Sequence, residues 1–279
     1  MVHKERLCDH KILTRPFHSD PLFQNALVQV VRESPQLFTQ AAEIPQNDEP
    51  HGWSGLPVVF DEVFTGLYRL GRFSSASFID SHADISVHAK LLTGGLVPLC
   101  TTLASESIFS TFASDDKTDA LLHGHSYTAH PIGCQVAVES LKELQALDHS
   151  GAWNWAKTNG WVPGKGESQT SPSDAIDGSP ESPWSVWSKD FIDEVSSRTD
   201  KVDGVWALGS VFAITMRAND GAGYTSQAAR KLQAHFHQGT GSWNAHTRVL
   251  GNMFYVMASQ KTSKETVEDL QNLCLSGIA

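Results

Sequence analysis

Two short, largely apolar runs, each ending at a charged side chain, constrain this chain more than any other feature. Pro57-Val58-Val59-Phe60 is apolar and β-branched and stops at Asp61-Glu62; Asp84 to Ala89 (DISVHA) is a second such run and stops at Lys90. Brief runs of this kind match buried strands of a parallel sheet rather than half-exposed strands, which alternate polar and apolar residues. In open α/β sheets ligands sit outside the carboxyl ends of the strands. Two neighbouring strands would therefore deliver Asp61 and Lys90 to one crevice.

The rest of the chain fits an α/β reading. Phe23 to Val31 has helical spacing, with Phe23, Ala26, Leu27, Val30 and Val31 on one side. A helix is expected from Pro131, with proline in its first turn and Val136, Ala137, Leu141, Leu144 and Leu147 at three-to-four spacing. Residues 148–184 are dominated by Gly, Ser and Pro, while Trp153, Trp155 and Trp161 suggest that part of the stretch docks on a surface. It reads as an insertion or linker. Beyond it the pattern predicts helix, strand, helix, strand, helix. The helices are Val186 to Ser197, Tyr224 to His237 and a last one opening with Thr262 and Glu265 in capping-box spacing. The strands are Val205 to Met216, bent at Gly209, and Met253 to Met257; the last helix buries Val267, Leu270 and Leu273.

Composition enters as an exclusion. A formal charge of −10 and no Lys/Arg-rich run argue against nucleic acid as a partner. The most apolar stretch, Ile85 to Ala104, carries His88, Lys90 and Gly94-Gly95 in its middle, which argues against a membrane span. Cys8, Cys100, Cys134 and Cys274 form no CxxC pair, which suits a reducing compartment rather than a disulfide scaffold. The N-terminal residues show no readable targeting segment.

Four segments carry candidate chemistry. Asp61 lies in DEVFTGLYRLG; alone, an acid after a strand is more often a helix cap or ion-pair partner than a ligand. Lys90 lies in DISVHAKLLTGGLVPL, where an amine between apolar runs is costly to bury as a cation, the environment Schiff-base chemistry needs. A snorkelling lysine is the bland alternative, and the adjacent Gly94 and Gly95 favour the site reading by allowing close backbone approach. HGHSYTAHPIGC offers Gly124, the Ser126 hydroxyl and backbone donors before a helix start, a natural phosphate neighbourhood. Its histidines, 123, 125 and 130, and the pair His235 and His237, read as ordinary histidines rather than a metal site. Arg248 lies in HTRVLGNMFYVM; its guanidinium fork suits a substrate carboxylate, although most such arginines make surface ion pairs.

Taken in order, these segments resemble the class III pyridoxal-phosphate-dependent aminotransferases, through Asp61-Glu62-Val63, Thr65-Gly66, Arg69 and Gly71, then Asp84-Ile85, Lys90 and Thr93-Gly94-Gly95. The resemblance runs from about Pro21 onward, interrupted at 148–184. It implies the C-terminal part of a fold-type I transferase. Residues 1–147 would belong to the large cofactor-binding domain, with its mixed sheet, and 185–279 to the small α/β domain. Lys90 would hold pyridoxal 5′-phosphate covalently and move the proton. Asp61 would hydrogen-bond the ring nitrogen, with Val63 counted among the cofactor contacts. His125 and Ser126 would touch the phosphate, from the neighbouring subunit of a homodimer, while Gly124 lines the substrate pocket and Arg248 binds the substrate carboxylate. Through His123-Gly124-His125-Ser126 and the RVLGNMFY stretch, the chain is most similar to members that aminate 8-amino-7-oxononanoate in biotin synthesis, with S-adenosylmethionine the usual amino donor. It is similar in particular to the eukaryotic form fused to dethiobiotin synthetase. The implied compartment is mitochondrial or cytoplasmic.

Against that pattern, the family's region before the aspartate, with its phosphate cup and stacking aromatic, has no counterpart in residues 1–60, and residues 35–56 look like an added segment. Ala129-His130 stands where Gly-Asn is usual. Three readings follow: an aminotransferase inactive alone for want of its N-terminal half, a non-catalytic remnant or interaction subunit, or an ornithine- or GABA-type member of the class.

Overall fold

The computed structural model describes residues 20–38, 55–120, 124, 126–158, 161, 182–218, 221 and 223–278. The chain forms two compact units, and no single cut separates them. One takes Ser74–Glu143 and the described residues up to Leu67; the other takes Tyr68–Phe73 and the described residues from Leu144 on.

The first unit opens with helix α1 (Pro21–Glu33), which starts two residues ahead of the helical spacing read at Phe23. Asp20 caps it, accepting from the Leu22 and Phe23 amides, and Pro21 occupies the first turn. The side predicted to be covered is not. Phe23, Ala26 and Val30 are exposed, and Val28, off that side, is the buried residue. Polar contacts hold the helix instead: Asn25 donates to the Ile79 carbonyl at 2.6 Å, and Arg32 pairs at 3.0 Å with Asp84. Periodicity reports where apolar side chains lie, not what covers them.

Asp84 also accepts the Val58 amide at 2.7 Å, tying together the starts of strands β1 (Val59–Asp61) and β2 (Ile85–His88). These pair in parallel, Val59 opposite Ile85 and Asp61 opposite Val87, as the two apolar runs predict. Strand β3 (Thr101–Ala104) pairs antiparallel on the other side of β2, with His88 opposite Thr101. Among the described residues β1 is an edge strand and Val59 is 54% exposed, so it is not the fully buried strand that its composition suggests. The short helix α2 (Glu106–Ser110) and the long α3 (Pro131–His149) follow; Ala137 and Leu144 are buried at the expected spacing.

The second unit is built on a four-stranded antiparallel sheet of order β4-β5-β7-β6. Strands β4 (Val202–Leu208) and β5 (Val211–Met216) correct the sequence reading of one bent strand: the chain reverses at Gly209-Ser210 and the halves pair as a hairpin. Gly209 has φ +55°, and an added Cβ there would meet the backbone of Leu70 at 2.3 Å. Strands β6 (Arg248–Leu250) and β7 (Met253–Met257) form a second hairpin; β7 has the predicted bounds. Phe212, Ile214 and Phe254 of this sheet are fully buried with Trp187 and Phe236, and Phe191 packs on Phe212 at 4.9 Å between centroids. Each fully buried side chain of this size contributes about 1.5–3 kcal/mol of apolar transfer.

Helices α4 (Asn154–Lys157), α5 (Lys189–Ser197), α6 (Arg230–Gln238) and α7 (Lys264–Ile278) belong wholly to this unit. α5 starts later than predicted because Ser188 caps it, and 224–229 forms turns before α6. Ser263, rather than Thr262, accepts the Thr266 amide at the start of α7; Thr262 takes the Ser259 amide instead. Two tryptophans of the predicted insertion, Trp153 and Trp161, dock. Trp153 is buried, donates to the Gln260 carbonyl at 2.9 Å and stacks on Trp184 at 5.8 Å, and Trp161 donates to the Trp187 carbonyl at 2.8 Å. Residues 159–160 and 162–181 of that stretch lie outside the described residues.

Candidate active site

In the first unit the ends of three strands converge. β1 ends at Asp61, the parallel β2 ends two residues before Lys90, and the antiparallel β3 begins one residue after Cys100. The sheet therefore brings Asp61 and Lys90 to one end, as the sequence requires. Asp61 is half-buried; its Oδ1 accepts the Val63 amide at 3.1 Å, and among the described residues no donor is assigned to Oδ2. Val63 thus acts on Asp61 through its backbone. Burial, then the negative charge of Asp61, pushes the Cys100 thiol above its ordinary value.

Lys90 differs from expectation in one respect: it is exposed, so desolvation does not mark it out. Its backbone does. Lys90 has φ +47°, a left-handed conformation that costs a non-glycine residue about 1–3 kcal/mol, and it opens a single 3-10 turn, Lys90–Leu92. Its Nζ lies 5.6 Å from the centroid of the Phe64 ring. Gly94 and Gly95 have φ of +62° and +82°, and an added Cβ on either would meet nothing within 4 Å. Their requirement in this chain is the turn itself; close packing is absent among the described residues. Thr93 closes that turn by donating to the Val97 carbonyl at 2.7 Å.

Of the loop before α3, His123 and His125 lie outside the described residues, while Gly124 and Ser126 are exposed. His130 has a definite task. Its Nδ1 accepts the Gly133 amide at 3.1 Å, so the ring hydrogen sits on Nε2, 3.3 Å from the Pro98 carbonyl that it faces. The imidazole caps α3, and Ala129 before it takes φ +54°, the conformation a glycine adopts easily.

In the second unit Arg248 stands opposite Tyr255 in the β6–β7 pair. Burial raises the Tyr255 hydroxyl above the ordinary tyrosine value, while the charges of Arg248 and Arg69 pull it down. Both guanidinium charges thus act on one hydroxyl. Arg69 is buried, with Nη1 3.3 Å from the Met257 sulfur. Its carbonyl accepts from both the amide and the hydroxyl of Ser210, at 2.9 and 3.0 Å. The sequence reading gave a role to Arg248 but none to Arg69 or Tyr255. For Arg69 the signal was its place in TGLYRLG; for Tyr255 only its register opposite Arg248 reveals it.

Known proteins resemble this chain in sequence and in fold. The aminotransferase class-III family matches residues 30–153. The bifunctional dethiobiotin synthetase/adenosylmethionine-8-amino-7-oxononanoate aminotransferase of Emericella nidulans is 50% identical over 255 residues, covering 91% of this chain and 31% of the relative. The mitochondrial bifunctional dethiobiotin synthetase/7,8-diamino-pelargonic acid aminotransferase of Oryza sativa is 38% identical over 212 residues, 76% of this chain and 22% of the relative. The chain thus spans about a third or less of these relatives. Among solved structures, an amine transaminase from an uncultivated Pseudomonas species in its PLP-bound form superposes with a TM-score of 0.60 at 19% identity, over 81% of this chain and 45% of that one. The ornithine δ-aminotransferase of Plasmodium falciparum gives 0.54 at 18% identity, over 80% and 46%. The fold is that of the α/β transaminases, and residues 30–153 match the class-III aminotransferase family.

Proposed function

We propose that the chain is the lysine-bearing, carboxylate-binding part of a pyridoxal-phosphate-dependent aminotransferase that aminates 8-amino-7-oxononanoate in biotin synthesis. The observation that carries the reading is the presentation of Asp61 and Lys90 by adjacent parallel strands at one sheet end, with Lys90 held in a left-handed backbone. The substrate assignment is supported by the relatives, which are named for that reaction, and Arg248, exposed on β6, would bind the substrate carboxylate. The donor set fits the cofactor: a carboxylate with one oxygen taken by Val63 leaves the other for a ring N–H, and an exposed amine can reach an aldehyde.

Pyridoxal phosphate, when bound, supplies an electron-accepting ring. Asp61 would keep the ring nitrogen protonated. The Lys90 amine would hold the cofactor between turnovers, then take the proton from the donor's α carbon and return it as general base and acid. Ser126 and His125 would contact the phosphate from the partner of a homodimer, and Gly124 would line the substrate pocket. We take 1–147 as the large-domain part, 148–184 as the insertion and 185–279 as the small domain, in a mitochondrial or cytoplasmic enzyme.

The test is to add pyridoxal phosphate to the purified chain, reduce with borohydride and map the modified lysine by mass spectrometry. Label on Lys90, abolished by Lys90→Ala, is expected. A folded chain labelled elsewhere, or not at all, counts against Lys90 as the cofactor lysine of this chain.

A further inference from the structure

Beside Asp61 stands a second carboxylate that the reaction does not use. Glu62 is 2% exposed, and every polar group it has is engaged. Its amide donates to the Val87 carbonyl at 3.0 Å, extending the β1–β2 pairing by one step, and its carbonyl accepts the Gly66 amide at 3.1 Å. Its side chain collects three donors: the Ser74 hydroxyl at 2.5 Å, the Ser75 amide at 3.0 Å and the Ala76 amide at 3.3 Å. Gly66 lies so close that an added Cβ would sit 2.9 Å from Oε2. All three side-chain donors are neutral. A buried carboxylate is costly unless hydrogen bonds stabilise it, so one kept here with no cation against it among the described residues serves more than packing.

We propose that Glu62 is a positioning residue for Asp61. It is the pin that joins the end of the β1–β2 pair, the 62–66 turn and the start of the Ser75–Phe78 3-10 turn, so that Asp61, one residue before it, leaves the strand in a fixed direction. As a buried negative charge next to Asp61 it also adds to the potential that favours a protonated group there. This second role rests on the reading of Asp61 and Lys90 as cofactor residues; the pinning does not. Glutamine cannot substitute. If its oxygen keeps Ser74 and Ala76, its NH2 meets the Ser75 N–H, donor against donor.

The experiment compares wild type, Glu62→Gln and Glu62→Asp in the 279-residue chain by hydrogen exchange with mass spectrometry, with thermal unfolding as the control for folding. Pinning predicts that Glu62→Gln unfolds cooperatively but exchanges about tenfold faster at 61–66 and 74–76, with the second unit unchanged. Unchanged protection at 61–66 in a folded variant overturns the proposal. If the glutamine variant does not fold, Glu62→Asp, which keeps the charge on a shorter arm, decides by the same readout. Pyridoxal phosphate then tests the link to Asp61. Where Lys90 is labelled, the pH midpoint of the adduct's absorbance should fall by about half a unit or more in Glu62→Gln, because a nearby negative charge has gone. A midpoint that stays put removes the electrostatic role. No label in any of the chains sinks the reading of Lys90, while exchange still decides the pin.

Discussion

His130 stands where a helix start ordinarily carries Asn, Asp, Ser or Thr. The imidazole does the same work with a different atom, accepting the Gly133 amide through Nδ1 while its Nε2 faces the Pro98 carbonyl. What looks in sequence like a departure from the family's Gly-Asn is therefore a substitution of one cap for another, with Ala129 bearing the left-handed backbone. His130→Asn should leave thermal stability within about half a kcal/mol of wild type, and His130→Ala should lower it by about 1 kcal/mol. Equal unfolding midpoints for the two would dispose of the cap. At this scale the sequence is legible for residues whose chemistry is rare, such as Asp61, Lys90 and Arg248. It is silent on Glu62 and Tyr255, whose roles come from contacts between residues 12 or more positions apart, or from cross-strand register.

Between β1 and the Ser75–Phe78 turn the chain makes a strained passage. Leu67 and Tyr68 have φ of +58° and +66°, consecutive left-handed residues neither of which is glycine. The cost, about 1–2 kcal/mol each, persists because Tyr68 is held from several sides. Its ring lies 5.2 Å from Trp153 and 5.7 Å from Phe73, and its hydroxyl donates to Asp148 at 3.1 Å. Tyr68→Gly would relieve the backbone yet lose a buried aromatic worth about 3–5 kcal/mol, so denaturant unfolding should show a net loss of about 2 kcal/mol. A stabilised variant would mean that the ring contributes less than the strain. Elements themselves were legible to differing degrees. β7 follows from an unbroken apolar run and α3 from three-to-four spacing. The β4–β5 hairpin was missed because Leu208-Gly209-Ser210-Val211 has the apolar flanks of a continuing strand, and its reversal depends on one positive φ. The first turn of α7 was misplaced by one residue because Thr262 and Ser263 are equally good caps; only the competing bond from Ser259 separates them.

For the molecule as a whole, the parallel arrangement of β1 and β2 followed from composition. The exposure of Val59 and of the apolar side of α1 did not, since a pattern of side chains says nothing about how much neighbouring chain is there to cover it. Among the described acids raised by burial, Cys274 bears most on stability at high pH. Burial holds the Cys274 thiol far above the ordinary range. Its folded value is raised, so its contribution is complete below the ordinary thiol value and is lost as pH rises through it, because only the unfolded chain then releases the proton. Unfolding free energy should fall by up to about 1.4 kcal/mol per pH unit above the ordinary thiol value, and Cys274→Ala should flatten that slope. An identical alkaline slope in the variant would assign the loss to other groups.

The path of the chain between the two units has a practical side. Tyr68–Phe73 belongs to the second unit, while the residues on either side of it belong to the first. The Arg69 carbonyl within it is what Ser210 binds, 141 positions downstream. Cloning the second unit from residue 144 onward would leave that clasp without its other half and expose the backbone of the β4–β5 reversal. Closing a loop of that length makes the clasp a slow, high-contact-order step in folding the second unit. Expressed fragments of this protein should be designed to carry residues 55–278 together.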